Sequence, residues 1–339
     1  MRTLHYDEKG GVVKAAPLLY SSCHIIQEKT NPTCYNHLIQ YLGGKQNMIK
    51  KQEQRHIYYD RDLGIEAYQL SGIVQKFPNH FHEFYVIGFI EGGKRHLWCK
   101  GQEYDLSAGD LVLFNPRDNH YCAPVGGELL DYRAVNINAD VMTGIVKEIT
   151  GKEYTPYFTR NVIIQSEIAP SVADVYDAIL MDSPKLKKEE ALFYLIEQIL
   201  QEYAVPLEKV GDTEPDKQTK MLCSYMEQHL AENITLDDLA SMIGAGKSYL
   251  LRSFAKQVGV SPYRYLQTIR IERAKRLLEQ GIVPIDVAGM TGFTDQSHFT
   301  NYFKEFIGLT PKQYQRIFTD TPAFESGEGK GEKRYGTEL

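Results

Sequence analysis

The chain has 339 residues, of which 42% are hydrophobic and 24% charged, a composition typical of a globular protein with two domains. Its formal net charge of −6 alone argues against nucleic acid as a partner. The distribution reverses this, because residues 217–318 contain 13 basic against 9 acidic side chains, a net charge of +4 that leaves −10 for the rest. Such asymmetry indicates a basic module on an acidic carrier.

Several classes of protein are excluded by simple patterns. No apolar run approaches the roughly 18 residues that span a bilayer, and the N-terminus lacks the apolar segment of a secretion signal. The five cysteines are scattered without a C-x-x-C pair, which argues against a disulfide framework or a cysteine-bound zinc ion. We therefore expect a cytoplasmic protein with no membrane partner.

The first 51 residues show no sustained periodicity and are expected to be a poorly defined N-terminal extension, 1–51. One hypothesis is that the natural start is Met48, because the codons for Gly43-Gly44-Lys45 could spell a purine-rich ribosome-binding sequence just upstream. An intact-mass measurement of the native protein distinguishes the two starts.

Residues 52–203 are predicted to form an N-terminal domain. From Ile57 to Ile137, short β-rich runs recur about every 8–12 residues, which is typical of an antiparallel sandwich or barrel. The period then becomes helical, with helices predicted over 139–149, 171–181 and 187–203. The third helix has an apolar stripe that either covers the barrel or forms the contact of a homodimer.

Two segments lack the signals of regular structure. Residues 204–216 contain two prolines, a glycine and mixed charges, which predicts an interdomain linker. Residues 319–339 are rich in Gly, Glu and Lys with few large apolar side chains, which predicts a disordered tail. Between them, 217–318 is predicted to be an all-α domain.

The all-α domain contains an internal repeat. Its first copy has Gly244 before a helix over 248–258, and its second copy has Gly292 before a helix over 295–307. Helix, glycine-bearing turn and helix is the helix-turn-helix layout, in which the second helix enters the major groove of DNA. A helical solenoid would normally show at least three similar units, and this chain shows two.

A long helix is predicted to join the two copies. Ser261-Pro262 provides an N-cap and a proline at the first helical position, and the helix runs to about Gln280. Its basic side chains are suited partly to DNA phosphates and partly to internal pairs with Glu272 and Glu279.

Residues 217–318 resemble the AraC/XylS family of bacterial transcription regulators, most specifically in Gly292 to Phe299, Phe303-Lys304 and Gly308 to Pro311. The resemblance implies two helix-turn-helix units that read neighbouring major-groove segments roughly 34 Å apart. Carried over by position, and with two projecting lysines added, the expected DNA-binding residues are Lys247, Ser248, Leu251, Arg252, Lys256, Gln296, Ser297, His298, Asn301 and Lys304.

The two expected reading faces differ. Leu251 departs from the polar residue often found at its position, so base reading by the first unit should rest mainly on Arg252. The first face is basic and the second is mostly neutral and polar. The DNA site should therefore be asymmetric.

The N-terminal domain resembles a degenerate cupin barrel, on the strength of His80 to Tyr85, Gly109-Asp110, and His120 after Asn115-Pro116. The resemblance implies that a small-molecule effector binds in the barrel. Aromatic faces and fixed donors suit sugars and other polar metabolites. The expected effector-binding residues are His80, His82, Tyr85, His96, Trp98 and His120.

A metal in this barrel is not expected. His80 and His82 should lie on one face of a strand with His120 nearby, and three imidazoles can bind zinc. Metal cupins add a glutamate ligand, whereas Glu83 should face away from the two histidines. We expect a hydrogen-bonding pocket and no cofactor.

The predicted protein is an α+β, multidomain, cytoplasmic transcription regulator rather than an enzyme. Promoter DNA and a small molecule, with sugars among the candidates, are its expected partners. Activation is the commoner outcome in the family, and it would add RNA polymerase as a partner. The alternative is a metal-dependent cupin enzyme fused to a DNA-binding domain, which stoichiometric iron or manganese in the native protein would favour.

Overall fold

The structure is a computed structural model that describes residues 5–6, 12–13, 53–210 and 215–319. The expectations of a Met48 start and of a tail over 320–339 lie outside these residues. Residues 1–51 and 52–339 are separate units. In the first unit, strand β1 (His5–Tyr6) pairs antiparallel with β2 (Val12–Val13); all other described elements belong to the second.

The strands of the second unit are β3 Gln54–Asp60, β4 Ile65–Ile73, β5 Phe77–His80, β6 Phe84–Gly92, β7 Arg95–Cys99, β8 Gln102–Leu106, β9 Leu111–Phe114, β10 His120–Pro124, β11 Leu130–Asn138, β12 Pro156–Phe158, β13 Val162–Ile163 and β14 Ala204–Pro206. Its helices are α1 Ala139–Thr150, α2 Ala169–Leu180, α3 Lys185–Glu202, α4 Lys217–Gln228, α5 Leu236–Met242, α6 Lys247–Val258, α7 Pro262–Glu279, α8 Pro284–Met290, α9 Gln296–Ile307 and α10 Pro311–Thr319. Among the described residues, no helix has both the length and the apolar composition that crossing a membrane requires.

Two antiparallel sheets form the barrel (β3–β11 and β13). One has the strand order β13-β9-β6-β11-β4-β3 and the other β5-β10-β7-β8. Apolar side chains from both sheets, such as Val86, Leu97 and Ala134, form one core between them. The outer face of the larger sheet packs under α1, α2 and α3 in a second core. The predicted combination of a β-rich N-terminal domain and a helical C-terminal domain is confirmed.

The apolar stripe of α3 covers the barrel. Leu192, Leu195, Ile196 and Ile199 are each at most 1% exposed and belong to the core under the larger sheet. These four side chains are therefore not available to a partner subunit. The strand β14, at the start of the expected linker, pairs with β12 and extends the N-terminal domain as far as Pro206.

His80 and His82 were expected to lie on one strand, and this was wrong. β5 ends at His80 and β6 begins at Phe84, so His82 lies in the connection between them. The chain breaks here because Phe81 leaves the barrel and is buried in a core formed by α4, α5, α6 and the first half of α7.

The helical domain (α4–α10) contains two cores that share α7. Its N-terminal half packs with the first helix-turn-helix unit, through Tyr265 and Leu266, and its C-terminal half packs with the second, through Leu277 and Leu278. Thr235 and Asp238 form a capping box at the start of α5. Arg270, on α7, is buried and donates to the carbonyl oxygens of two residues after α4, so its role is structural.

Candidate nucleic-acid interface and ligand cavity

Helix α6 presents the basic face expected of the first unit. Leu250 and Phe254 are its buried residues, so the opposite side of the helix faces solvent. The predicted contact residues on this helix are all exposed: Lys247, Ser248, Leu251, Arg252 and Lys256. Lys247 forms an exposed ion pair with Asp237, whose Oδ1 lies 2.7 Å from its Nζ.

Helix α9 presents the second, neutral-polar face. Its N-cap Asp295 accepts a hydrogen bond from the backbone N–H of His298 at 2.7 Å, and Phe299 and Phe303 anchor the helix from below. The exposed predicted residues are Gln296, Ser297, Asn301 and Lys304. His298 differs from them because its ring is half-buried and packs edge-on against Tyr302, with centroids 4.8 Å apart.

The barrel contacts the same point in each unit of the repeat. Helices α6 and α9 each end at a glycine with a left-handed backbone, Gly259 (φ 82°) and Gly308 (φ 86°). The Nδ2 of Asn79 donates to the carbonyl oxygen of Gly259 at 3.2 Å. A Cβ at Gly308 would overlap the guanidinium of Arg55, so only glycine allows this approach. The barrel thus packs against the C-terminal ends of both exposed helices.

A cavity of about 140 Å³ lies inside the barrel, and its wall includes the helical domain. The lining is mostly apolar and comes from both sheets. The ring of Phe306, at the end of α9, closes one side, with its centroid 5.8 Å from that of His80. Ile307 lines the same side. An occupant of the cavity would therefore touch the second exposed helix directly.

Three histidines lie close together in the wall of the cavity. The Nε2 atoms of His80 and His82 are 3.2 Å apart, and one ring nitrogen from each of His80, His82 and His120 lies within 4.8 Å of the others. Burial and then His120 and His82 lower the pKa of His80 well below its ordinary value. Burial and then Lys275 lower the pKa of His82 to about 3, and burial and then His82 lower that of His120 to about 3. The cluster is therefore neutral at physiological pH.

The other three residues predicted for the pocket lie outside this cavity, which corrects that expectation. Tyr85 points to the opposite face of β6 from the cavity, and its hydroxyl donates to the carbonyl oxygen of Pro156 at 2.7 Å. His96 and Trp98 share a face of their strand, but Leu97 between them is the residue that faces the cavity. His96 Nδ1 instead lies 2.9 Å from Asp105. In all three cases the reason is that successive side chains of a strand point to opposite faces, so a residue next to a cavity-lining one points away from the cavity.

A buried ionic cluster joins the barrel to α7 and α10, and the sequence did not predict it. The Nζ of Lys275 lies 3.5 Å from Oε2 of Glu66, and the hydroxyl of Tyr314 donates to Oε1 of Glu66 at 2.6 Å. Lys275 was expected to meet either DNA phosphates or the acids of its own helix. It pairs instead with a strand residue more than 200 positions away, a separation that no local pattern reveals.

Comparison with known proteins agrees with this geometry. Residues 62–196 match the AraC-like ligand binding domain, and residues 239–317 match a helix-turn-helix domain. An uncharacterized HTH-type transcriptional regulator from Bacillus subtilis, YbfI, is 49% identical over 248 residues, which cover 73% of this chain and 90% of that protein. The HTH-type transcriptional activator RhaS of Citrobacter koseri is 25% identical over 248 residues, covering 71% and 88%.

Among solved structures, ToxT of Vibrio cholerae aligns over 80% of this chain and 98% of its own, with a TM-score of 0.45 and 14% identity. The identity to the Bacillus subtilis relative and the two domain matches decide the family. Two helix-turn-helix units follow a ligand-binding barrel in one chain, and this chain belongs to the AraC family of DNA-binding transcription regulators.

Proposed function

We propose that this chain is a cytoplasmic transcription activator whose DNA binding is controlled by a small molecule in the barrel cavity. The observation that carries the proposal is the place of Phe306 and Ile307, which belong at once to the cavity wall and to the end of recognition helix α9. The name of the RhaS relative, a transcriptional activator, supports activation over repression. RNA polymerase and a second copy of the chain are the further partners of such an activator.

The size of the cavity supports a mechanism. A cavity of about 150 Å³ holds a molecule the size of benzene, whereas typical metabolite pockets measure about 300–1,000 Å³. The cavity here is about 140 Å³, so a larger effector has to displace part of its wall. Because Phe306 and Ile307 close one side, that displacement moves α9 relative to the barrel. Effector binding then shifts the population between docked and released arrangements of the helical domain.

The lining also bears on the class of effector. Apolar side chains form most of the wall, and its polar residues besides Cys122 are the three histidines, Arg55, Tyr68, Tyr132 and Asn136. A sugar carries hydroxyls on every side, and several would be buried here without partners, at a cost of about 1–3 kcal/mol each. An effector with an apolar body and one polar or anionic end fits better than a sugar, which was one of the candidates.

Filling the cavity tests its role. Ala134 lies on the wall and is 1% exposed, so Ala134→Leu should occupy part of the space at an overpacking cost of about 1–3 kcal/mol. A library of small carboxylic acids, aromatic metabolites and sugars is screened by thermal shift on the full chain, because a ligand that binds the folded state raises its melting temperature. Hits on the wild type should lose their shift in Ala134→Leu and keep it in Ala123→Leu, which lies outside the cavity. Equal shifts in both variants would place the effector elsewhere.

DNA reading is tested at Arg252, the residue on which base reading by the first unit should depend. Replacing Arg252 with alanine should weaken specific binding by about 1–3 kcal/mol if it makes a bidentate base contact. Fluorescence anisotropy measures the affinity for a site selected in vitro from random DNA, and footprinting should show the loss at one half-site only. Lys312→Ala, at an exposed position of α10, is the control. An unchanged affinity and footprint would remove Arg252 from the reading face.

A further inference from the structure

The three cavity histidines are held with their Nε2 atoms directed at one another. His80 Nδ1–H donates to the carbonyl oxygen of Pro78 at 2.6 Å, and His120 Nδ1–H donates to that of Asp118 at 2.9 Å. A carbonyl oxygen only accepts, so both rings carry their proton on Nδ1 and present a lone pair on Nε2. These backbone bonds also fix the orientation of each ring.

Neither neutral tautomer of His82 satisfies both of its ring nitrogens in this arrangement. With its proton on Nδ1, its Nε2 lone pair faces that of His80 at 3.2 Å. With its proton on Nε2, that N–H donates to the Nε2 lone pair of His80, but its Nδ1 lone pair faces Glu272, whose Oε1 is 3.7 Å away. The Nδ1 is buried and has no hydrogen-bond partner among the described residues. A cation between the Nε2 atoms removes the first repulsion and leaves the Nδ1–H directed at Glu272.

We propose that His80, His82 and His120 bind a divalent transition-metal ion such as Zn²⁺ through their Nε2 atoms, with Glu272 of the helical domain as the carboxylate behind His82. Two nitrogen ligands on a tetrahedral zinc ion, each at about 2.05 Å, lie about 3.3 Å apart. The His80–His82 separation of 3.2 Å already matches this. His120, whose ring nitrogen lies within 4.8 Å of the others, needs a shift of up to about 1.6 Å to complete the set.

The surroundings of the cluster suit a metal with a second shell. A ligating imidazole usually donates its other N–H to a carbonyl or carboxylate, which orients the ring and strengthens it as a ligand. Pro78 and Asp118 already accept from His80 and His120, and Glu272, 3.7 Å from His82 Nδ1, would accept from the third ring after a small approach. Phe114 stacks on His120 at 4.0 Å and Phe84 on His82 at 4.8 Å, so the ion would lie in a dry, aromatic surround.

The position of Glu272 gives the ion a second consequence. Glu272 lies on α7, whereas the three ligands lie in the barrel, so the metal would strengthen the contact between the two domains. The ion would keep one coordination position open towards the cavity, where an anionic group of the effector could bind. This last step depends on the proposed function, whereas the metal site itself does not.

The test measures metal binding without effector or DNA. Full-length protein, stripped with chelator, is titrated with Co²⁺ followed by its visible absorption bands and with Zn²⁺ by calorimetry. We expect one ion per chain, with affinity reduced more than about 100-fold in His82→Gln and in His120→Gln. Glu272→Gln should keep the stoichiometry and lower the affinity by about 10–100-fold, as for other second-shell carboxylates. His96→Gln, at a half-buried position outside the cluster, should leave the affinity unchanged.

A gain of signal guards against variants that fail to fold. His120→Cys should retain Co²⁺ and add the near-ultraviolet absorption of a cobalt–thiolate bond, which a metal bound elsewhere would not produce. Binding that survives both glutamine variants, or wild-type protein that takes up no ion, overturns the proposal. An effector response that persists in excess chelator would show that the effector does not bind through the metal ion. The proposed function would then still stand.

Discussion

Replacing Lys275 with methionine should weaken the docking of the helical domain on the barrel by about 3 to 5 kcal/mol, the usual penalty for removing one partner of a buried ion pair. Lys275 and Glu66 are 5% and 10% exposed, and their charged atoms are 3.5 Å apart. Without the lysine, Glu66 would keep a buried charge with no cation beside it. The simplest relief is separation of the two domains, which returns Glu66 to water.

Glu66 stays ionised because its partners outweigh its burial. Burial alone would raise its pKa, but Lys275 and hydrogen bonds from Tyr314 and Asn136 hold the pKa below its ordinary value. Two opposing effects also act on Lys275. Burial alone would lower its pKa, but the surrounding acids, Glu66 first, raise the pKa above its ordinary value. Both groups are therefore charged at physiological pH. Removing either one leaves the other as a buried charge without its partner.

Small-angle X-ray scattering on the full chain measures the docking. Lys275→Met should increase the radius of gyration, whereas Arg273→Met, at an exposed position of the same helix, should leave it unchanged. The double variant Glu66→Gln with Lys275→Met should recover most of the docked population, because a neutral pair lacks the uncompensated charge. If Lys275→Met scatters like the wild type, the ionic cluster does not hold the domains together.

The helical domain could be predicted from the sequence because its signals are local. Thr235 and Asp238, three residues apart, cap α5, and Ser261 caps the long helix just before Pro262. Phe254 and Phe303 occupy equivalent buried positions in the two copies. Each of these features depends on spacings within a few residues, which a sequence displays directly.

The cavity could be predicted only in part, because its position depends on breaks and long-range contacts. The sequence suggested His80, His82 and His120 but placed His80 and His82 on one strand, which misplaced His82. Strand parity would have excluded Tyr85 once Phe84 and Val86 were taken as inward. Nothing in the sequence indicated that Phe306 forms part of the wall. That contact arises where a strand and a recognition helix more than 200 residues apart meet.

Replacing Phe306 with alanine should destabilise the second helix-turn-helix unit by about 3 to 5 kcal/mol and also open the cavity. Phe306 is buried in the core of that unit, and its other side faces His80 across the cavity. Phe303 is its matched control, because it is fully buried in the same core without lining the cavity. Calorimetry of both alanine variants should show a similar loss of stability in the helical domain.

The two variants should differ at Cys122, which lines the cavity. Burial raises the pKa of this thiol to about 11, so it should react slowly with a maleimide in the wild type. Phe306→Ala admits water to the cavity, and the labelling rate of Cys122 should rise about tenfold for each 1.4 kcal/mol by which the wall is weakened. Peptide mass spectrometry measures that rate, with the buried Cys99 as an internal reference. Equal rates in Phe306→Ala and Phe303→Ala would mean that recognition helix α9 does not close the cavity, and the proposed route from effector to DNA would fail with it.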